Sequence, residues 1–377
     1  MTLEIQLPCA FGLEAVAARE VRGLGYEDVR TVNGRVLVRS DVAAVPRLNV
    51  FVRTADRVQI VIGRFPATDF GELFERTKEL DWHRWLGGGA KFPVTGRSVR
   101  SQLSSVPTCQ KMVKKAIATS LAGGDRVAEV GPEVPVHVAV LNDEVTLSVD
   151  TTGPGLHKRG YRTRGGKAAL RETLAAALVQ LSYWHRERPL LDPCCGSGTI
   201  LIEAVWWATD RAPGMMRDFA GEPWPAIGPR LWSDAREEAH DRHRPGVRGP
   251  IVGSDIDGRQ IYAATEAAHA AGVADVLSLQ KRSLADVQMA TEYGCLITNP
   301  PYGNRLLGED DVGLDEVYDQ LGRRLRELST WSTYILSGYP SVERAVGKKA
   351  DRRRKLYNAT IEATLYSYFG PKPPRVD

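Results

Sequence analysis

Hydrophobic and polar residues change their pattern about 150 to 165 residues into the chain. Before that point the segments are short, and several alternate as strands do. The pattern predicts strands at 3–7, 34–38 and 58–62, and helices at 13–24 and 110–121. Alternating valines at 134–140, the pair Asn142-Asp143 and a second alternating run at 145–149 predict a β-hairpin. The first part of the chain is therefore predicted to be a small α+β region.

After that point, three apolar strands each end in a polar residue, with helical patterns between them. They are predicted at 189–192, 251–255 and 295–299, after a helix at 168–184. This order is typical of an α/β domain with a doubly wound, mostly parallel sheet. Ligands bind at the carboxyl ends of the strands in such sheets, so we expect Asp192, Asp255 and Asn299 to border one crevice.

Composition excludes some classes of protein. The chain has 377 residues, of which 43% are hydrophobic, enough for two or three packed domains. We find neither a long apolar run nor the features of a signal peptide, so we expect a cytoplasmic protein without a membrane partner. The five cysteines form no CxxC pair, so neither a disulfide nor a metal site is expected.

The net charge of +4 is small, but the basic residues are segregated. Segments 82–124 and 151–171 contain no acid, and 344–355 contains one. A nucleic-acid partner favours such segregation because phosphate contacts supply much of its affinity, although three solvated basic faces are the alternative. On the helix at 110–121, the basic residues Lys111, Lys114 and Lys115 lie off the apolar stripe.

The first candidate motif is Asp-Pro-Cys-Cys-Gly-Ser-Gly-Thr at 192–199, between a strand and a helix. Its glycines would let the backbone approach a ligand closely. The third glycine of a dinucleotide fingerprint would stand at Leu201, so nicotinamide binding is disfavoured. A tight strand-to-helix turn is the alternative.

The second candidate motif is Gly-Ser-Asp-Ile-Asp at 253–257. An acid at the end of this strand, Asp255, could accept hydrogen bonds from ribose hydroxyls. Asp257 is better suited to cap the following helix. Residues 206–248 account for the long spacing as an insertion rich in Trp, Pro and Arg, and Cys295 is expected in the core.

The third candidate motif, Asn-Pro-Pro-Tyr at 299–302, points most directly to a reaction. The lone pair of an exocyclic amine on a base is delocalised into the ring, and two acceptors directed at its N–H groups would help to localise it. The Asn299 side-chain oxygen and the Pro300 carbonyl could serve. The prolines fix the turn, and Tyr302 offers a ring for a base splayed from its stack.

These motifs together resemble those of the class I RNA guanine-N2 methyltransferases that carry a THUMP domain. The likeness extends over nearly the whole chain, through segments at 73–82, 91–94, 104–107, 155–162 and 354–358. Relatives in this family methylate guanine in large-subunit ribosomal RNA, and a related branch acts on transfer RNA.

The resemblance implies a ferredoxin-like subdomain at 1–45, a THUMP domain at 46–152, a basic linker at 153–167 and a Rossmann-like methyltransferase domain at 168–377. It implies a mostly parallel, seven-stranded sheet in the last of these, with S-adenosylmethionine as the cofactor. It implies that the adenine of the cofactor lies near Asp286, although Ser283 departs from the acid often found in a similar register.

Site residues are assigned accordingly. The catalytic candidates are Asn299, Pro300, Pro301 and Tyr302. The cofactor candidates are Asp192, Cys195, Gly196, Ser197, Gly198, Thr199, Asp255, Ile256, Asp286 and Asn299. The RNA candidates are Lys111, Lys114, Lys115, His157, Lys158, Arg159, Arg162 and Arg305.

We therefore expect methyl transfer to the N2 amine of a guanine in structured RNA, most simply 23S rRNA, without an obligate protein partner. The alternatives are a guanine-N2 methyltransferase acting on transfer RNA, an adenine-N6 or glutamine-amide methyltransferase, and a non-catalytic RNA-binding assembly factor. The basic amino-terminal half argues against a protein substrate, and the intact motif set argues against loss of catalysis.

Overall fold

The structure, a computed structural model, describes residues 2–122, 128–162, 169–302 and 313–374. The strands in these ranges are β1 (Leu3–Pro8), β2 (Val29–Val32), β3 (Arg35–Ser40), β4 (Gln59–Pro66), β5 (Val94–Val99), β6 (Val136–Leu141), β7 (Glu144–Asp150), β8 (Leu190–Asp192), β9 (Ile251–Asp255), β10 (Leu277–Lys281), β11 (Cys295–Thr298), β12 (Ser332–Ser337), β13 (Arg352–Asn358) and β14 (Ile361–Tyr368). The α-helices are α1 (Glu14–Gly23), α2 (Ala44–Phe51), α3 (Phe70–Lys78), α4 (His83–Leu86), α5 (Val106–Ala122), α6 (Glu172–Leu181), α7 (Thr199–Ala208), α8 (Pro229–Arg242), α9 (Gly258–Ala270), α10 (Leu314–Glu327) and α11 (Val342–Val346). None of the helices in these ranges is both long enough and apolar enough to span a membrane.

The chain divides into two compact units, each built from separate stretches of sequence. The amino-terminal unit consists of the described residues of 1–9, 18–156 and 217–238, and the carboxyl-terminal unit of those of 10–17, 157–216 and 239–377. Residues 10–17 thus belong to the carboxyl-terminal unit although amino-terminal sequence surrounds them. Residues 217–238 belong to the amino-terminal unit although carboxyl-terminal sequence surrounds them.

The amino-terminal unit contains one seven-stranded sheet in the order β2-β3-β1-β4-β7-β6-β5. Its β4 strand pairs with both β1 and β7, and only the β5–β6 pairing is parallel. The predicted hairpin is β6–β7, whose turn residues Asn142 and Asp143 have φ values of 51° and 63°. Asn and Asp tolerate this left-handed conformation, as a two-residue hairpin turn requires.

The carboxyl-terminal unit contains the sheet predicted from the three strand motifs. Its order is β10-β9-β8-β11-β12-β14-β13. Strands β8 to β12 are parallel to their neighbours in this set, and β14 is antiparallel to β12. This arrangement confirms the predicted α/β class with a mostly parallel, seven-stranded sheet.

Two helices begin four residues away from their predicted starts. Helix α5 begins at Val106 rather than at residue 110, because Pro107 is tolerated in the first turn, where its missing N–H leaves no helical bond unmade. Helix α6 spans Glu172–Leu181 rather than 168–184. The carbonyl of Leu170 instead accepts a hydrogen bond from the Arg162 Nη2 atom at 2.9 Å.

Candidate active site

The three strands that end in polar residues are neighbours in the sheet. Strand β8 lies between β9 and β11 and is parallel to both. Asp192 pairs with Gly253 at the end of β8, and Asn299 follows the last residue of β11. Their carboxyl ends therefore lie along one edge of the sheet, as the sequence predicts.

The glycine-rich loop connects β8 to α7 and is hydrogen-bonded to the end of β9. The Cys195 N–H donates to the Ser254 carbonyl at 2.9 Å, and the Gly196 N–H donates to the Asp255 Oδ2 atom at 2.9 Å. The Gly198 N–H turns back to the Cys195 carbonyl at 2.8 Å. The loop is therefore positioned by the strand that carries the candidate ribose acceptor.

Gly196 and Gly198 have different steric surroundings. Both lie in the left-handed region, with φ values of 51° and 74°. A Cβ at residue 198 would lie 3.2 Å from the Ala264 Cβ on α9, whereas one at residue 196 would meet only the Gln260 Oε1 atom, at 3.9 Å. Close packing against α9 is therefore sufficient to explain why residue 198 is a glycine. The side of the loop that has free space beside it is at Gly196.

Asp192 is buried and connects two of the strand ends. It is 1% exposed, and its Oδ1 atom accepts hydrogen bonds from the Thr298 hydroxyl at 2.7 Å and the Cys194 N–H at 3.2 Å. Burial raises the pKa of Asp192 to about 7, and the nearby carboxylate of Asp255 adds to the shift. Thr298 is not among the residues predicted from the sequence. Its place directly before Asn299 at a strand end is the signal that could have found it.

Asp255 is held by backbone donors on both carboxylate oxygens. Its Oδ1 atom accepts from the Asp257 N–H at 3.0 Å, and its Oδ2 atom accepts from Gly196. Burial raises the pKa of Asp255. Asp257 caps α9 by accepting the Arg259 N–H at 2.9 Å, which confirms the predicted cap, and Ile256 between the two acids is 68% exposed.

Asn299 carries an unsatisfied acceptor at this edge. Its Oδ1 atom is buried and has no hydrogen-bond partner in the part of the chain that the structure describes. Buried polar atoms are nearly always paired, so an unpaired one calls for an explanation. An amine donor from a bound substrate would satisfy it.

The two residues after Pro300 are fixed by contacts with helix α10 and with the ends of strands β12 and β13. The Pro301 carbonyl accepts the Tyr318 hydroxyl at 3.1 Å. The Tyr302 ring packs so closely on Gly338 that a Cβ there would lie 2.9 Å from its Cδ2 atom. Burial raises the pKa of Tyr302, whose hydroxyl is also hydrogen-bonded to Asn358. The hydroxyl as well as the ring therefore positions this residue.

The segment proposed for the adenine edge forms a short 3-10 helix, Leu284–Asp286. The Ser283 side chain caps this helix by accepting the Ala285 N–H at 3.2 Å. Asp286 is exposed.

The predicted basic helix face is present on α5. Lys111, Lys114 and Lys115 are exposed, while Val113 and Ile117 are buried. Lys114 forms an ion pair with Glu129 at 2.7 Å, so part of its charge is compensated within the unit.

Arg159, which the sequence analysis assigns to RNA contact, is instead buried. It is 1% exposed, and its Nε atom contacts the Glu203 Oε1 atom at 3.3 Å, which also accepts the Tyr161 hydroxyl at 3.1 Å. A carboxylate buried as fully as Glu203 is strongly destabilising without a cationic partner. Arg159 supplies that partner, and its guanidinium is not available to RNA.

The other basic residues of this segment differ in exposure. Arg162 donates to the Thr199 hydroxyl at 2.6 Å and lies 3.5 Å from Glu172, so it anchors the start of α7. His157 is half-buried and Lys158 is exposed. Arg305 lies outside the described residues.

Three family descriptions match the sequence. Residues 159–367 match "RMKL-like, methyltransferase domain", residues 4–59 match "RlmL ferredoxin-like domain", and residues 67–150 match "THUMP domain". The sequence resemblance to methyltransferases that carry a THUMP domain is thereby confirmed.

Similar proteins extend over nearly the full chain. "Putative RNA methyltransferase YpsC" of Bacillus subtilis is 42% identical over 97% of this chain and 95% of its own length. "Ribosomal RNA large subunit methyltransferase K/L" of Methylococcus capsulatus is 33% identical over 98% of this chain but only 51% of its own length, so this chain spans about half of that relative. The crystal structure of "SMU.472, a putative methyltransferase complexed with SAH" has 39% identity and a TM-score of 0.92, covering 99% of both chains.

Proposed function

Within the RMKL-like methyltransferase family, to which this chain belongs, we propose that it methylates the exocyclic N2 amine of a guanine in 23S rRNA. Two coarser statements are independent of this proposal: the chain is an RNA methyltransferase, and its methyl donor is S-adenosylmethionine. The observation that carries the proposal is the buried, unpaired Oδ1 atom of Asn299 at the edge of the sheet.

The residues around the glycine-rich loop fit the cofactor. Gly196 leaves open space where any other residue would place a Cβ. Asp255 has carboxylate lone pairs beyond those used by the loop, and the exposed Ile256 offers an apolar surface beside it. S-adenosylmethionine, when bound, supplies an electrophilic methyl group.

Asn299 and Pro300 would orient the nucleophile. The Asn299 side-chain oxygen would accept one N–H of the target amine and the Pro300 carbonyl the other. These two acceptors would help to localise the lone pair on the amine nitrogen, so that it is less delocalised into the ring. Catalysis is then mainly proximity and orientation, which contribute up to roughly 7–11 kcal/mol in favourable cases.

The alternatives differ in the planar amine or the RNA that is recognised. Adenine N6 also presents two N–H groups, and the same acceptors would fit it. Ribosomal rather than transfer RNA is favoured by the name of the K/L relative, whose activity is that of a protein about twice as long. A methyl-transfer assay on unmodified 23S rRNA and on transfer RNA, followed by identification of the methylated nucleoside, separates these possibilities. N2-methylguanosine in 23S rRNA supports the proposal, and N6-methyladenosine or exclusive transfer to transfer RNA contradicts it.

Replacing Asn299 tests the catalytic assignment. Asn299→Ala should slow single-turnover transfer about a hundredfold or more, by analogy with the removal of one oxyanion-hole donor. The affinity for S-adenosylhomocysteine should fall far less than the transfer rate, because Asn299 is one of several cofactor candidates and the loop and Asp255 are unchanged. The exposed Asn33 provides the control variant Asn33→Ala, which should transfer at the wild-type rate. Equal rates for Asn299→Ala and the wild type would show that the motif is only a turn.

A further inference from the structure

Phe11 is an exposed aromatic residue on a rigid segment. Its side chain is 53% exposed. The next residue, Gly12, donates its N–H to the Glu14 Oε2 atom at 2.9 Å, and its carbonyl accepts the Arg354 Nη1 atom at 3.1 Å. A Cβ at Gly12 would lie 2.7 Å from the Lys355 carbonyl oxygen. The backbone that carries the exposed ring is thus held tightly against β13.

A second aromatic residue lies beside it on the edge strand. The rings of Phe11 and Tyr357 meet edge to face, with centroids 6.2 Å apart and an interplanar angle of 78°. The Lys355 Nζ atom lies 5.6 Å from the Tyr357 ring centroid and 2.6 Å from the Glu362 Oε2 atom, which also accepts the Tyr357 hydroxyl at 3.3 Å. We call Phe11 and Tyr357 the aromatic platform. The two rings do not stack on each other, and the charge of the adjacent Lys355 is compensated by Glu362.

Sheet topology places the aromatic platform near the Asn-Pro-Pro-Tyr motif at 299–302, which we call the catalytic corner. The carboxyl end of β12 lies at the same edge as the end of β11, because the two strands are parallel. Strand β14 is antiparallel to β12 and begins at that edge, so β13, which pairs with β14, ends there. Tyr357 directly precedes Asn358, whose side chain is hydrogen-bonded to Tyr302.

From this juxtaposition we propose that the aromatic platform stacks on a nucleobase adjacent to the target base in the RNA strand. The inference rests on the proposed function, since it names how the RNA next to the methylated base is held. A base that enters the catalytic corner must leave its stack, and its neighbours are then without a stacking partner. Exposed aromatic side chains replace that partner in single-stranded RNA recognition.

The platform is tested in the full-length chain with two variants and a matched control. Phe11→Ala and Tyr357→Ala should each weaken binding of a single-stranded RNA oligonucleotide containing 2-aminopurine about tenfold, and should reduce the quenching of its fluorescence by stacking. Phe11→Trp should restore both. Tyr183→Leu is the control, because Tyr183 is 55% exposed beside Phe369, which follows the far end of β14. The control should bind and quench as the wild type does.

Methyl transfer to 23S rRNA is measured on the same proteins. Phe11→Ala should raise the KM for RNA with a smaller effect on kcat, and should leave the affinity for S-adenosylhomocysteine unchanged. Wild-type binding and quenching by both alanine variants would overturn the platform, even if the wild type methylates RNA. Failure of the wild type to methylate RNA would instead count against the proposed function, and the oligonucleotide measurement would still decide on the platform. A changed oligomeric state in Phe11→Ala, with RNA binding intact, would show that a second copy of the chain covers this surface.

Discussion

At the scale of single residues, the strand-end positions could be predicted, but the partners of charged side chains could not. Asp192, Asp255 and Asn299 each follow a short apolar run, and parallel strands bring such ends together whatever the details of packing. Arg159 looks like a surface residue in a basic, glycine-rich segment. Its burial depends on Glu203, 44 residues later in the chain, and no local pattern reveals that pairing.

The buried carboxyl of Asp192 should make the unfolding free energy depend on pH. Its pKa is about 7 in the folded chain, above the ordinary value of 3.8, so the folded state binds the proton more tightly. Stability from this group is therefore lost as pH rises from 3.8 to about 7. Asp192→Asn keeps the side-chain oxygen that accepts from Thr298 and avoids burying a charge. Without cofactor, the variant should be more stable than wild type by about 2–4 kcal/mol above pH 7, with the difference vanishing below pH 4.

Chemical unfolding at pH 5 and pH 8 measures this difference. Asp241→Asn removes a carboxylate that is 74% exposed and serves as the control for removal of one charge. A stability gain for Asp192→Asn that is the same at both pH values would show that charge burial is not its cause.

Substitution of two glycines in the carboxyl-terminal unit can distinguish the cost of backbone strain from the cost of a steric clash. Gly198 and Gly347 have nearly the same φ, 74° and 75°. A Cβ at residue 347 would meet only the Arg326 Nη1 atom at 3.6 Å, whereas one at residue 198 would lie 3.2 Å from the Ala264 Cβ. Gly347→Ala should cost about 1 kcal/mol of unfolding free energy for the left-handed conformation. Gly198→Ala should cost more, and equal destabilisation of the two variants in denaturant unfolding would remove the packing argument.

At the scale of elements, the sequence predicts whether a segment is a helix or a strand better than it predicts where that element begins and ends. Helix α5 was expected because Val113 and Ile117 are spaced to share one face, and that face is buried. Its start lies four residues before the predicted one, because Pro107 fits the first turn of a helix as well as the residues that precede one. Helix α6 begins later than predicted because Leu170 is bonded to Arg162, a tertiary contact.

The basic face of α5 should contribute to RNA affinity by neutralising phosphates. Lys111→Glu should weaken binding of 23S rRNA and lower the slope of log affinity against log salt by roughly 0.7–0.9 for each phosphate that is no longer neutralised. Cofactor affinity should not change. Arg76→Glu, which reverses an exposed charge on α3 in the same unit, controls for the change in net charge. Equal salt slopes for the two variants, measured by filter binding, would show that the α5 face is only solvated.

At the scale of the whole molecule, the order of the chain and the composition of the compact units do not coincide. Residues 10–17 belong to the carboxyl-terminal unit, and their Leu13 and Val16 are part of the core that contains Leu356. Residues 217–238 belong to the amino-terminal unit, where the Trp224 indole donates to the Glu133 carbonyl at 2.9 Å. Sequence patterns predict consecutive domains, because they report local structure and not the long-range contacts that exchange these segments.

Hydrogen exchange can test this division by using the cofactor product as a selective stabiliser. S-adenosylhomocysteine at about 100 times its Kd should add about 2.7 kcal/mol to the stability of the unit that binds it. Peptides from 192–199 and 251–257 should gain protection, and so should peptides from 10–17, although they lie near the amino terminus. Peptides from 217–238 should gain little and should follow those of β6 and β7, even though they lie between α7 and β9 in sequence. If the protection of 217–238 instead rises with that of the adjoining 199–208, the segment belongs energetically to the carboxyl-terminal unit and the exchange of segments is wrong.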